Sequence, residues 1–508
     1  MHAIFDQGPP PSCPAPFNMA QYVLAAGAET PDKIALAVLT QTGAQRWSYD
    51  RLTRAVLGTA TGLARHGARP GDRVLMQLGD SVEFPITYLA ALAAGLIPVP
   101  TSAMLTGPEV SGIAAETRPA LIVAQSGVAL PDHVDCPVIG AADLAQMHAL
   151  PAADFVMGDP DRPGYIIYTS GTSGVPRAVT HAHRAIWARR MMWQGWYGLT
   201  PQDRLLHAGA FNWTYTLGTG LLDPWTIGAT ALIPGAGVTP AQLPLLLRRH
   251  DATIFAAAPG VYRQVLRHDM PPLPKLRHGL SAGEKLPAST RAAWVRATGT
   301  PIHEAYGMSE CSTFISGAPD RPAPEGKLGY PQTGRCVAVL DDAGPVAFDQ
   351  PGTLAIARGD PGLMLGYWDA GKSAPTLSAE PWFRTGDTVS MAVDGSITYL
   401  GRGDDMMNAG GVRVSPIEVE TALNAHPGIT ECAAVEVPVK ADVSVIAAFY
   451  VAEAELDPDA LRAFAAGSLA KYKQPRIYRR VDALPKGANG KLLRRQLRDT
   501  WAAEPPDG

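Results

Sequence analysis

Short, uninterrupted apolar runs recur between amphipathic helical segments along most of this chain. The runs are too brief for helices and lack the polar alternation of a half-exposed strand. DRVLMQLGD (72–80) and ALIVAQS (120–126) therefore read as strands buried on both faces. YDRLTRAVLGTATGLARHG (49–67) reads as an amphipathic helix closed by Gly67, and PAQLPLLLRRHDATIFAAAP (240–259) as a helix followed by a strand. The alternation predicts an α/β protein whose large N-terminal domain is built of layered, mostly parallel sheets and helices. Near residue 400 the pattern changes. SPIEVETALNAHPGITECAAVEVP (415–438) gives a helix then a strand, VIAAFYV (445–451) another strand, and DPDALRAFAAGSLAKY (457–472) another helix. These suit a small, mobile α+β C-terminal domain of about a hundred residues. Glycines and charges from Arg402 to Asp405 suit an exposed hinge, so the domains are expected at 1–401 and 402–508.

With 508 residues, 46% of them hydrophobic, the chain has ample material for more than one core. A formal net charge of -4 offers no broad attraction for nucleic acid or anionic lipid, which points to a small-molecule partner. The only membrane-like stretch, ITYLAALAAGLIPVPTSAML (86–105), is cut by Gly95, Pro98 and Pro100 into a helix and a strand, so no membrane insertion is expected. Five scattered cysteines without CxxC spacing, and a start without a charged region leading into an apolar one, suit reduced thiols in a cytoplasmic protein.

YIIYTSGTSGVPRAVTHAH (165–183) runs a strand into a string of small residues. Its backbone N–H groups, together with the hydroxyls of Thr169, Ser170, Thr172 and Ser173, suit a polyphosphate. Gly171 and Gly174 permit close approach, and Arg177 adds charge. It is not a Walker loop, because no Gly-Lys pair follows its glycines at the required spacing. Further along, EAYGMSECSTF (304–314) brings Tyr306, an aromatic for a purine, together with Ser309 and Glu310, a carboxylate suited to magnesium. WFRTGD ends in Asp387, able to accept two ribose hydroxyl protons. LGRGDDMMNAGGVRVSPIEVE carries Arg402 and Arg413 around a glycine-rich crossing, and LPKGANGKLLRRQLR isolates Lys491.

Together and in this order, these motifs resemble those of the adenylate-forming superfamily of acyl-CoA synthetases, peptide-synthetase adenylation domains and luciferases, from about residue 18 to 498. The resemblance implies that Thr169 to Gly174 with Arg177 grip ATP phosphates, although the family usually has Lys and Gly at Arg177 and Ala178. It implies that Gly283, Glu284 and Tyr306 border adenine, Ser309 contacts the α-phosphate and Glu310 holds Mg2+. Asp387 and Arg402 resemble ribose ligands, Arg413 belongs with the nucleotide contacts, Asp404 resembles the hinge, and Lys491 the catalytic lysine. Gly410 and Gly411 are implied to line the route of the coenzyme A pantetheine arm. A carboxylate attacking the α-phosphorus brings two anions together, and Lys491 with magnesium neutralises the charge that develops. A thiol then displaces AMP from the acyl adenylate.

Asn212 stands where amino-acid-activating relatives carry Asp, which disfavours an amino-acid substrate. Trp213, Ala282, Gly307 and Met308 are expected to line an apolar acid pocket. An AMP-forming acid:CoA ligase for a small or medium apolar monocarboxylate follows, aliphatic or aryl, and a homodimer is admissible. An enzyme loading an acyl carrier protein and a non-catalytic nucleotide-binding protein remain as alternatives. His181 and His183 read as surface histidines, Cys311 as a buried inert thiol, and Arg494, Arg495 and Arg498 as a solvated helix face.

Overall fold

The computed structural model describes residues 2–169, 177–209, 211, 214–369, 377–403, 405–409, 412–440, 443–469, 471–487 and 492–503. The chain groups into two compact units. One comprises Asp6–Cys336 with Arg358–Pro381, the other Met1–Phe5 with Val337–Ala357 and Trp382–Gly508.

In the larger unit a nine-stranded sheet runs in the order Tyr330–Pro331, Ser312–Ser316, Ile302–Met308, His278–Ala282, Ile254–Ala257, Arg204–His207, Thr230–Pro234, Ile34–Leu39, Ala44–Ser48. The six strands from Ile302–Met308 to Ile34–Leu39 are parallel, and the edges are antiparallel. Their apolar runs are explained by burial on both faces. Leu205, Ile254, Ala256 and Leu280 pack with Trp196 and Tyr215, whereas Leu206, Phe255 and Ala257 pack with Leu247 and Trp294. A second, four-stranded parallel sheet holds Arg73–Gln77 and Leu121–Ala124, as the sequence suggests. The amphipathic helix forms at Tyr49–Arg65, with Ser48 accepting the Arg51 N–H at its start and Gly67, at φ +94°, leading the chain away. The membrane-like stretch splits into helix Glu83–Ala93 and strand Ile97–Pro100, and no described helix is long and apolar enough to cross a membrane.

The smaller unit contains the expected α+β elements: helices Pro416–Leu423, Pro458–Ala466 and Arg494–Ala503, with strands Glu431–Lys440, Val443–Val451 and Ile477–Arg480. It also includes strands Pro351–Ala357, Trp382–Met391 and Ile397–Arg402, paired antiparallel. Arg402 stands opposite Asp387 where the last two of these strands pair.

Two sequence readings are corrected. His181 and His183 are 2% and 0% exposed and sit within the core, since both lie in or beside the central strand of a three-stranded sheet. The C-terminal basic residues do not share one solvated face. Arg495 is 70% exposed at its side chain, but Arg494 is only 15% exposed, its guanidinium forking onto the buried Glu420 carboxylate at 2.8 and 2.9 Å. Arg498 donates to Asp405 at 3.1 Å. The i, i+4 spacing of Arg494 and Arg498 puts them on one helix face, and that face turns inward.

Candidate active site

Strands Arg204–His207 and Ile254–Ala257 are neighbours, yet the connections leaving them go to opposite sides of the sheet. Such a reversal opens a crevice at the carboxyl ends of parallel strands, where α/β proteins bind ligands. The predicted residues of this unit cluster at those ends. Ala282 closes its strand and leads to Gly283 and Glu284, while Tyr306, Gly307 and Met308 close the adjacent strand and lead to Ser309 and Glu310. Ala282 is buried, Tyr306 is half-buried, and the Tyr306 ring meets Phe314 edge-on at 5.5 Å. The buried Glu304 accepts the Leu286 N–H at 3.0 Å and pairs with Arg291 at 2.9 Å, holding the turn after Glu284.

The Ser309–Glu310 turn is fixed from three directions. A Cβ on Gly307 would lie 2.3 Å from the Ser312 carbonyl oxygen and 2.5 Å from Thr313 Cα, so only glycine lets the two strands of this hairpin approach. His181 Nε2–H donates to the Ser309 carbonyl at 2.7 Å, and the Met364 N–H donates to the Glu310 carbonyl at 2.8 Å. Ser312 holds a left-handed conformation, φ +64°, with its hydroxyl bonded to Arg189. Arg189 in turn forks onto the buried Asp223 at 2.6 and 2.8 Å, and Asp223 also accepts from the Tyr197 hydroxyl at 2.7 Å. Burial pushes His181 down to about 4, so it is a neutral donor near pH 7. Burial likewise pushes the Cys311 thiol well up, in keeping with an inert thiol.

The hairpin on either side of the expected phosphate loop pairs Pro163–Thr169 with Arg177–Ala182, Thr169 facing Arg177. Arg177–Ala182 also pairs with Gly366–Tyr367. The Arg177 guanidinium lies 3.3 Å from the Tyr367 ring centre, and the Tyr367 hydroxyl donates to Glu310 Oε1 at 2.8 Å. Ser170, Gly171, Thr172, Ser173 and Gly174 lie outside the described residues, as do Asn212 and Trp213.

In the smaller unit, Asp387 is 5% exposed, and its Oδ1 accepts from the Tyr399 hydroxyl at 3.0 Å and from Arg402 Nη1 at 3.5 Å. Arg413 faces Asn408 in a short hairpin, but its side chain lies outside the described residues, as do Asp404, Gly410, Gly411 and Lys491. Sequence reasoning missed Glu304, His181, Arg189, Tyr367 and Tyr399 as supports. The signal available for Glu304 and Arg189 was a charge among apolar neighbours, whereas nothing local marked Tyr367 or Tyr399.

The chain matches the family described as AMP-binding enzyme over residues 24–368, and the AMP-binding enzyme C-terminal domain over 418–491. It is 30% identical to a 3-hydroxybenzoate–CoA ligase of Aromatoleum sp. (strain CIB), over 91% of this chain and 93% of that one. It is 31% identical to a benzoate–CoA ligase of Thauera aromatica, over 89% and 90%. Among solved structures, the anthranilate CoA ligase AuaEII in complex with anthranoyl-AMP superposes with a TM-score of 0.85 at 26% identity, covering 97% of this chain and 99% of that one.

Proposed function

This chain belongs to the AMP-binding enzyme family, and from that premise we propose that it is an AMP-forming acid:CoA ligase acting on a benzoate-like aryl acid. The observation that carries the aryl preference is the match, across nine-tenths of both chains, to ligases of benzoate and hydroxybenzoate. Aliphatic acids of similar bulk are the second reading, favoured by the apolar character of Ala282, Gly307 and Met308. The acid, ATP and CoA are the substrates.

In this reading Tyr306, Gly283 and Glu284 border adenine, and Thr169 to Gly174 with Arg177 hold the phosphates. Asp387 and Arg402 take the ribose, and Arg413 serves the nucleotide. Trp213 walls the acid pocket. Ser309 bonds the α-phosphate, and Lys491 neutralises the charge that spreads as the acid oxygen attacks phosphorus and pyrophosphate leaves. Gly410 and Gly411 then admit the thiol, which displaces AMP, with Asp404 as hinge between 1–401 and 402–508.

Glu310 fits a magnesium ligand. One of its oxygens is held by Tyr367, and among the described residues no group of three or more His, Cys, Asp or Glu side chains could hold a metal ion. One carboxylate with substrate phosphates is a usual magnesium environment. When bound, the ion would offset phosphate charge. Thiol usage favours a cytoplasmic enzyme, and a homodimer is compatible with this reading.

The test is pyrophosphate release across benzoate, hydroxybenzoates, aminobenzoates and short or medium aliphatic acids, with and without CoA. Release driven by an aryl acid, with AMP and thioester appearing on adding CoA, is the expected result. Response only to a phosphopantetheinylated carrier protein would move the thiol acceptor, and no response to any acid would refute the reading.

A further inference from the structure

The segment 363–368, LMLGYW, is a strap between the two features that handle phosphate charge. The Met364 N–H bonds the Glu310 carbonyl at 2.8 Å. One residue on, the Leu365 N–H bonds the Thr180 carbonyl at 2.8 Å, and the Trp368 N–H bonds the Ala178 carbonyl at 2.7 Å. The strap is thus laced to the Glu310 turn at one end and to the strand that begins with Arg177 along the rest. Tyr367 projects where both meet. Its ring lies under the Arg177 guanidinium at 3.3 Å, and its hydroxyl reaches Glu310 Oε1 at 2.8 Å.

We propose that Tyr367 is a positioning residue of the adenylation half-reaction: its hydroxyl orients the Glu310 carboxylate toward the metal–phosphate complex, and its ring seats the Arg177 guanidinium. The proposal rests on the ligase reading above. It gives a physical account of arginine where the family usually has lysine, because a planar guanidinium stacks over an aromatic face in a way that a compact, strongly hydrated ammonium does not. One Glu310 carboxylate oxygen is held by Tyr367, and the proposal assigns the other to the cation.

The two roles separate by substitution. Tyr367→Phe keeps the ring and removes the hydroxyl, and Tyr367→Leu removes both. ATP affinity of the full-length protein, measured by calorimetric titration with and without Mg2+, reads each role without relying on turnover. For Tyr367→Phe, metal-free ATP affinity stays at the wild-type value, while the gain produced by Mg2+ shrinks roughly 10-fold, the usual scale for losing a residue that orients a metal ligand. For Tyr367→Leu, metal-free affinity also falls, by about 2- to 5-fold, the scale of a lost cation–π contact. An unchanged Mg2+ gain in Tyr367→Phe, or equal loss with and without Mg2+, overturns the hydroxyl role. Unchanged metal-free affinity in Tyr367→Leu overturns the ring role. Wild-type protein that binds ATP with no Mg2+ gain, or shows no acid-dependent pyrophosphate exchange, overturns the ligase reading itself, and the proposal with it. Circular-dichroism melts of both variants identify any loss of fold, and a variant that melts below the assay temperature gives Tyr367 a structural role and overturns the proposal.

Discussion

Replacing Arg189 by Met tests the buried pair behind the Glu310 turn. Asp223 is 1% exposed at its side chain and accepts two bonds from Arg189 and one from Tyr197. With the guanidinium gone, a carboxylate is left in the core with the Tyr197 phenol as its remaining donor among the described residues, and breaking such a pair costs about 3–5 kcal/mol. Protonation is the relief. For a carboxyl of ordinary acidity, becoming neutral requires about 4 kcal/mol at pH 7 but only about 1.5 kcal/mol at pH 5. The destabilisation of Arg189→Met relative to wild type should therefore be about 3–4 kcal/mol at pH 7 and about 2 kcal/mol smaller at pH 5. The double variant Arg189→Met/Asp223→Leu should regain most of the loss, since no charge is left unpaired. Urea unfolding of the three proteins at both pH values, followed by tryptophan fluorescence, measures these differences. A loss that does not change with pH, or a double variant no better than the single, would refute the account of an uncompensated buried charge.

Further expectations follow from the same reasoning. Lys491→Ala should abolish acid-dependent pyrophosphate exchange yet spare thioester formation from supplied acyl adenylate, and equal loss of both would contradict its assigned role. Gly307→Ala should lower ATP affinity and stability together, because the added methyl meets backbone atoms that cannot rotate away; an unaffected melting temperature would argue against that clash. Acid should destabilise the fold. His181, His183 and His207 are pushed by burial to about 4, 3 and 3 in the folded protein, against an ordinary value near 6.5. The unfolded chain therefore binds more protons between those limits, and stability is lost as pH falls from about 6.5 toward 4. Unfolding at pH 5 should take up roughly one proton per histidine, readable from calorimetric enthalpies in buffers of different ionisation heat, and uptake near zero would show that these rings are not buried and neutral.

Much of this was legible in the chain. Ile254 and Phe255 announced a buried strand because the run around them, IFAAA (254–258), is apolar throughout, and the sheet buries it on both faces. The strand Pro163–Thr169 was equally readable, since it carries its own apolar run. His181 was misread because two histidines near a loop look solvent-facing in isolation, whereas its Nε2 finds a carbonyl 128 residues away. The basic helix was misread for the same reason: Glu420, which takes Arg494 inward, lies 74 residues earlier.

The sequence by itself determined which segments become strands and helices and which residue types are candidates for phosphate, adenine and metal chemistry, because periodicity and side-chain chemistry are local properties. Only the tertiary structure decided that Tyr367 meets both Arg177 and Glu310, that Arg189 props Ser312, and that Arg494 turns away from solvent. Those choices depend on strand register and on which distant partner satisfies a buried polar atom, and neither is encoded in any short stretch of chain.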